Sequence, residues 1–158
     1  MDRTRIIEAL NEDLRAELSA VEIYAAHAMA IPEDAIAAGV RAILAVEQRH
    51  ACDLASRIRD LGGAPAEPYG AETVAGRAVG AATAQATTVE MLRLELAEEQ
   101  QAIKDYATHI AEIMEDEETL DLLEEHLADE IQHSRWLKSQ ITTLNRRAER
   151  RLSAKSSI

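Results

Sequence analysis

Apolar residues recur along this chain at the three-and-four spacing of amphipathic helices, in four long stretches. The first, from about Thr4 to Ala30, has a seam of Leu10, Leu14, Glu17, Val21, Tyr24 and Ala28 before Pro32 breaks it. The second, from about Glu33 to Leu61, runs along Ile36, Val40, Ile43, Glu47, His50, Leu54 and Ile58, and Gly62-Gly63 with Pro65 and Pro68 ends it. Thr87-x-x-Glu90, a capping-box pattern, opens the third, which reaches about Met114 along Leu92, Leu96, Glu99, Ile103, Tyr106, Ile110 and Ile113. The acidic turn Glu115 to Glu118 leads into the fourth, with Leu120, Leu123, Leu127, Glu130, His133, Leu137, Ile141 and Leu144 on its seam. Short links make antiparallel hairpins of stretches one and two and of stretches three and four. Between them, Gly62 to about Thr87 is rich in Gly, Ala, Thr and Pro and shows no sustained amphipathic period. A link that long fits an all-α bundle whose second and third helices run parallel, so that the chain must climb the whole bundle to cross over.

The pattern is duplicated. Glu17, Ala20, Tyr24 and His27 recur 82 residues later as Glu99, Ala102, Tyr106 and His109, and Glu47-x-x-His50 recurs at an offset of 83 as Glu130-x-x-His133. Leu14, Leu54, Ile58 and Leu61 map in the same way onto Leu96, Leu137, Ile141 and Leu144. Charges belong on the outer face of such a helix, yet Glu17, Glu47, Glu99 and Glu130 each stand where the seam calls for an apolar side chain. Four carboxylates in one core are prohibitive if ionised and unpaired, and two divalent cations match their charge. Residues three apart share a helix face, so Glu47 with His50, and Glu130 with His133, can each serve one metal. Carboxylate and imidazole donors suit iron, and manganese too. A Glu on one helix and a Glu-x-x-His on the next, both doubled, is the ligand set of a two-metal site in a four-helix bundle.

Composition narrows the function classes. The chain has 158 residues, a formal net charge of −12, no Phe and one cysteine, Cys52. That length suits one domain, 1–145, with 146–158 as a basic C-terminal tail. One cysteine excludes an internal disulfide framework and a Cys-built zinc or iron–sulfur site within one chain. No run spans a membrane and the N-terminus lacks a signal-peptide pattern, so a cytoplasmic protein is expected. The acidic body favours cations over nucleic acid. Arg146, Arg147, Arg150, Arg151 and Lys155 fit a solvated helix end or a contact with a partner or DNA. The segment Ala35 to Val46 carries a single charge, Arg41, and is apolar on more than one face, which predicts a homo-oligomer.

On these motifs the chain resembles the ferritin-like superfamily and, within it, the bacterioferritins; the match covers all four helices, roughly Arg5 to Asn145. The resemblance implies a ferritin-like antiparallel four-helix bundle with a long crossover between helices 2 and 3. It also implies a diiron ferroxidase centre at Glu17, Glu47, His50, Glu99, Glu130 and His133, where Fe(II) meets oxygen or peroxide, and a shell storing ferric mineral. Haem-binding members carry a Met directly after the second-helix Glu; Gln48 stands there and counts against haem. The alternative is a peroxide-reducing diiron or dimanganese enzyme without a shell. Tyr24 and Tyr106, two turns beyond Glu17 and Glu99, are expected to lean back towards those same carboxylates and to support them or supply an electron. Trp136 either packs over the site or simply fills space. His27 and His109 read as hydrogen-bonding or surface groups. His126, beside Glu124 and Glu125, reads as an entry point for iron or as part of an exposed polar face. Cys52 should point off the seam.

Overall fold

The computed structural model describes residues 1–155. It contains α1 (Arg3–Ala30), α2 (Asp34–Asp60), α3 (Ala71–Thr83), α4 (Thr88–Glu112) and α5 (Glu117–Lys155), with no strand among the described residues. The four seams fold as α1, α2, α4 and α5. Asp2 caps α1 by accepting the Arg5 N–H at 2.9 Å, and the reciprocal Thr87–Glu90 box caps α4. Gly62, at φ 80°, turns the chain out of α2 in a conformation that glycine adopts without steric cost.

Contacts between the hairpins fix their sense. His27 and Tyr24 of α1 face Glu95 and Glu99 of α4, whereas Glu17 and Asp13 face Tyr106 and His109, so α1 and α4 are antiparallel. On the opposite side of the bundle, His50 and Arg49 of α2 meet Asp129 of α5, and Arg57 meets Thr119 and Asp116. These two helices are also antiparallel, which leaves α2 and α4 parallel and requires the crossover.

The crossover differs from the uniform link its sequence suggested, because it carries the 13-residue α3. The buried positions of α3 are Thr73, Gly76 and Gly80, so the face it turns to the bundle has almost no apolar side chain to signal it. Its glycines let the backbone lie on α1: a Cβ at Gly76 would sit 2.4 Å from the Ser19 carbonyl oxygen, and one at Gly80 would sit 3.0 Å from that of Glu22. At the other terminus α5 runs unbroken through Arg146, Arg147, Arg150 and Arg151 to Lys155, all exposed, and Ser156 to Ile158 of the basic tail lie outside the described residues. No described helix is long and apolar enough to cross a membrane.

Two apolar clusters fill the interior. One gathers Tyr24, Val40, Leu92 and Leu137, and the other gathers Leu10, Leu54, Ile58 and Leu123. A polar layer drawn from four helices separates them. On the outer face of α2, Ala35, Ala38, Arg41, Ala42 and Ala45 are exposed in the single chain.

Candidate metal centre

The polar layer is built from the six duplicated residues. Glu17, Glu47, His50, Glu99, Glu130 and His133 are all buried, the most exposed being His133 at 8%. Their donor atoms form two overlapping groups, each within 4.8 Å: Glu17, Glu47, His50 and Glu130 in one, and Glu47, Glu99, Glu130 and His133 in the other. Glu47 and Glu130 belong to both groups; Glu17 and Glu99 each belong to one. The i, i+3 spacing sets each histidine beside the glutamate of its own helix, at 3.7 Å for His50–Glu47 and 4.0 Å for His133–Glu130, but the closer approaches cross the bundle. His50 Nδ1 lies 3.0 Å from Glu130 Oε1 and 3.5 Å from Glu17 Oε1, and His133 Nδ1 lies 3.0 Å from Glu47 Oε1 and 3.3 Å from Glu99 Oε2.

Several of these close approaches lack hydrogen-bond geometry. Glu47 Oε1, Glu130 Oε1 and His50 Nδ1 are buried without a hydrogen-bond partner. Unpaired buried polar atoms are costly, and here they converge on common points. A pair of divalent cations fits this arrangement, with the carboxylates of Glu47 and Glu130 able to reach both ions.

Without metal, protons carry the balancing charge. Burial, reinforced by the charge of Glu17, pushes the Glu47 carboxyl up to about 8, and burial pushes Glu130 up to about 11. Burial works against the charged form of both imidazoles, but the surrounding carboxylates outweigh it. Glu130, Glu17 and Glu47 raise His50 to about 12, and Glu47 and Glu99 raise His133 to about 9. For Glu17, burial is likewise outweighed by His50 and Glu47, and its pKa falls.

The tyrosines reach across the bundle. Tyr24 donates to Glu99 and Tyr106 donates to Glu17, so each phenol bonds the carboxylate of the other repeat and not its own, as the spacing alone had suggested. Two turns along one helix is roughly 11 Å, too far for a direct bond, whereas the antiparallel register of α1 and α4 sets each tyrosine beside the opposite glutamate. Burial, then the facing Glu99 and Glu17 charges, holds both phenols well above their ordinary pKa, so both keep the proton they donate.

The remaining histidines are more buried than their sequence context implied. His27 is fully enclosed, with Nδ1 2.9 Å from Glu95 Oε1 and Nε2 2.8 Å from Thr83 Oγ1, which ties the end of α3 to the bundle. His109 Nδ1 pairs with Asp13 Oδ2 at 2.9 Å, and burial lifts the Asp13 carboxyl to about 6 despite that partner. Asp13 and Glu95 went unremarked in the sequence, yet they stand at the 82-residue offset, each four residues before a site glutamate, and so extend the repeat. His126 is fully buried and not part of an exposed face: its ring stacks on His50 with centroids 3.9 Å apart. Asp129, also missed, accepts from His50 Nε2 at 3.1 Å and is held by Arg49 at 2.6 Å. In the neutral imidazole that a metal would require, that bond keeps the remaining His50 proton on Nε2 and leaves the Nδ1 lone pair facing the centre. Trp136 packs on α2 at Gly39, where a Cβ would come within 2.0 Å of the indole, and Cys52 is exposed.

A cavity of about 50 Å³ connects the centre with the surface between α1 and α4. Small residues, Ala16, Ala20 and Ala102, leave it open, and Glu98 and Asp105 stand along it.

Comparison with known proteins agrees with this architecture. The family model for the ferritin-like domain matches residues 7–147. A Mycobacterium tuberculosis bacterioferritin, BfrA, superposes with a TM-score of 0.76 at 27% identity, over 98% of this chain and 94% of that one. A Rhodobacter capsulatus bacterioferritin, described with a metal-free dinuclear site and a haem iron, superposes at 0.72 and 28% identity, over 92% and 88%. A dodecameric thioferritin from Bacteroides fragilis shares the fold at 0.78 and 21% identity, over 94% and 91%. Among curated proteins, none matches the chain.

Proposed function

The chain belongs to the ferritin-like domain family, and from that premise we propose that it is a cytoplasmic ferroxidase that binds Fe(II) in pairs, oxidises it and stores the ferric product within a shell of identical subunits. The observation that carries this reading is the pair of four-residue donor groups sharing Glu47 and Glu130. Those two glutamates would be shared by both ions, Glu17 and Glu99 would each serve one, and His50 and His133 would supply the nitrogen donors. The chemistry is a two-electron transfer: one electron from each Fe(II) reduces oxygen to hydrogen peroxide, or peroxide to water, with two protons taken up.

The protein's part is to hold and balance charge. Tyr24 and Tyr106 fix the terminal carboxylates, while Asp129 and Arg49 hold His50 with its lone pair inward. Acidic side chains along the α1–α4 cavity draw cations inward, helped by the net charge of −12. Gln48 offers no thioether for haem iron at its position, so haem has no part in this scheme. The small-residue outer face of α2 supplies a surface for a second subunit.

Glu47→Ala tests the assignment, because it removes a donor shared by both groups. Stopped-flow oxidation of Fe(II) should lose its fast phase while far-ultraviolet circular dichroism keeps its helical signal. Unchanged oxidation kinetics would sink the assignment.

A further inference from the structure

His126 breaks the internal symmetry of the bundle. It stands four residues before Glu130, and the residue four before Glu47 is Ile43. Asp53, whose carboxylate lies 3.8 Å from His126 Nε2, occupies the position that corresponds to Trp136 at the 83-residue offset. Ile43 and Trp136 lie in one apolar cluster. Both pairs bridge α2 and α5: at one end of that contact the framework is satisfied by an apolar pair, and at the related position an imidazole and a carboxylate stand in its place.

The protons of His126 can be placed. Tyr106 has one hydroxyl proton, and it goes to Glu17; the Tyr106 oxygen, 3.3 Å from His126 Nδ1, therefore accepts from that ring nitrogen. The proton sits on Nδ1 and the lone pair on Nε2. Nε2 is fully buried with no hydrogen-bond partner, and the atom it faces is the acceptor-only Asp53 carboxylate. Two lone pairs facing each other with no proton between them call for a cation. A separation of 3.8 Å is what two ligands span when each lies about 2.1 Å from one ion at an open angle. The Asp53 side chain is 42% exposed, so an ion there keeps water ligands and exchanges with solvent.

We propose that His126 Nε2 and Asp53 form a third, weaker divalent-cation site on the α2–α5 face, a station adjoining the dinuclear centre through the His50–His126 stack. Its role as a station serving that centre rests on the ferroxidase reading; the binding of the ion does not. The α1–α4 cavity reaches the centre from the opposite side, so the two openings are separate.

Anaerobic Co(II) titration of the full chain tests this, read by binding stoichiometry and by paramagnetically shifted imidazole N–H resonances. Wild type should bind three Co(II) per subunit and show three such resonances, from His50, His133 and His126. Asp53→Asn, a near-isosteric change at a side chain 42% exposed, should keep the helical circular dichroism signal, bind two ions and lose one resonance. A wild-type protein that saturates at two ions with two resonances overturns the inference and leaves the dinuclear centre standing. An Asp53→Asn protein that keeps the third ion overturns it equally. Loss of one ion and one resonance in the variant, in a wild type whose oxidation chemistry fails, would support the site and remove the ferroxidase reading alone.

Discussion

Loading the centre with metal should expel about four protons per pair of ions. The count follows from the buried groups. At pH 7 the carboxyls of Glu47 and Glu130, raised to about 8 and about 11, are protonated, and His50 and His133, raised to about 12 and about 9, are imidazolium. Coordination demands ionised carboxylates and neutral imidazoles, so each of the four gives up its proton. The exchange is also the one that keeps the core neutral. Two imidazolium ions offset carboxylate charge before loading, and four metal charges offset four carboxylates afterwards. Below pH 8 the product of the two association constants should therefore rise by roughly ten-thousand-fold per pH unit, one factor of ten per proton. The assay is anaerobic titration with Zn(II) or Co(II) in lightly buffered solution, with proton release read by an indicator dye, or calorimetry in buffers of different ionisation heat. Glu130→Gln should lower the count by one. Release of two protons or fewer from the wild type would mean that the metal-free carboxyls are already ionised, and the charge argument would fail.

The same protons set the stability of the metal-free protein. Glu47 and Glu130 hold protons in the folded state that the unfolded chain releases near its ordinary carboxyl pKa of about 4.3, so the folded state binds more protons across the window above that value. Stability is complete below the unfolded value and is lost as pH rises towards the folded values. Urea denaturation with chelator present should give a lower midpoint at pH 7.5 than at pH 5, and a higher one would contradict the assignment. A second expectation concerns α3. Helix propensity alone predicts that Gly76→Ala stabilises by about 1 kcal/mol, but the added Cβ would meet the Ser19 backbone at 2.4 Å, and overpacking of this kind costs about 1–3 kcal/mol. The variant should be destabilised in equilibrium denaturation; a gain in stability would mean that α3 does not lie against α1 as described.

The bundle and the convergence of six buried carboxylates and imidazoles were legible because duplication repeats both those residues and their apolar frame, and a carboxylate on an apolar seam stands out even without a structure. Tyr24 and Tyr106 were placed on the right face but given the wrong partners, since the pairing of α1 with α4 is a register between distant segments that no local spacing encodes. α3 was hidden for a different reason: Thr73, Gly76 and Gly80 approach α1 by being small, and smallness leaves no periodic apolar signal. At His126 the neighbours Glu124 and Glu125 suggest an exposed polar face. Its four-residue spacing from Glu130, which puts it on the buried face, was the better guide.

If the dinuclear site oxidises iron destined for storage, the protein must retain far more iron than its own sites hold. Apoprotein is given excess Fe(II) without oxygen, air is admitted, and the iron that co-elutes with the protein is measured per subunit. Storage gives a value far above the two ions of the centre and any third held at His126 and Asp53. A value that stops at those few ions would contradict storage and make the metals a fixed cofactor of a peroxide-reducing enzyme.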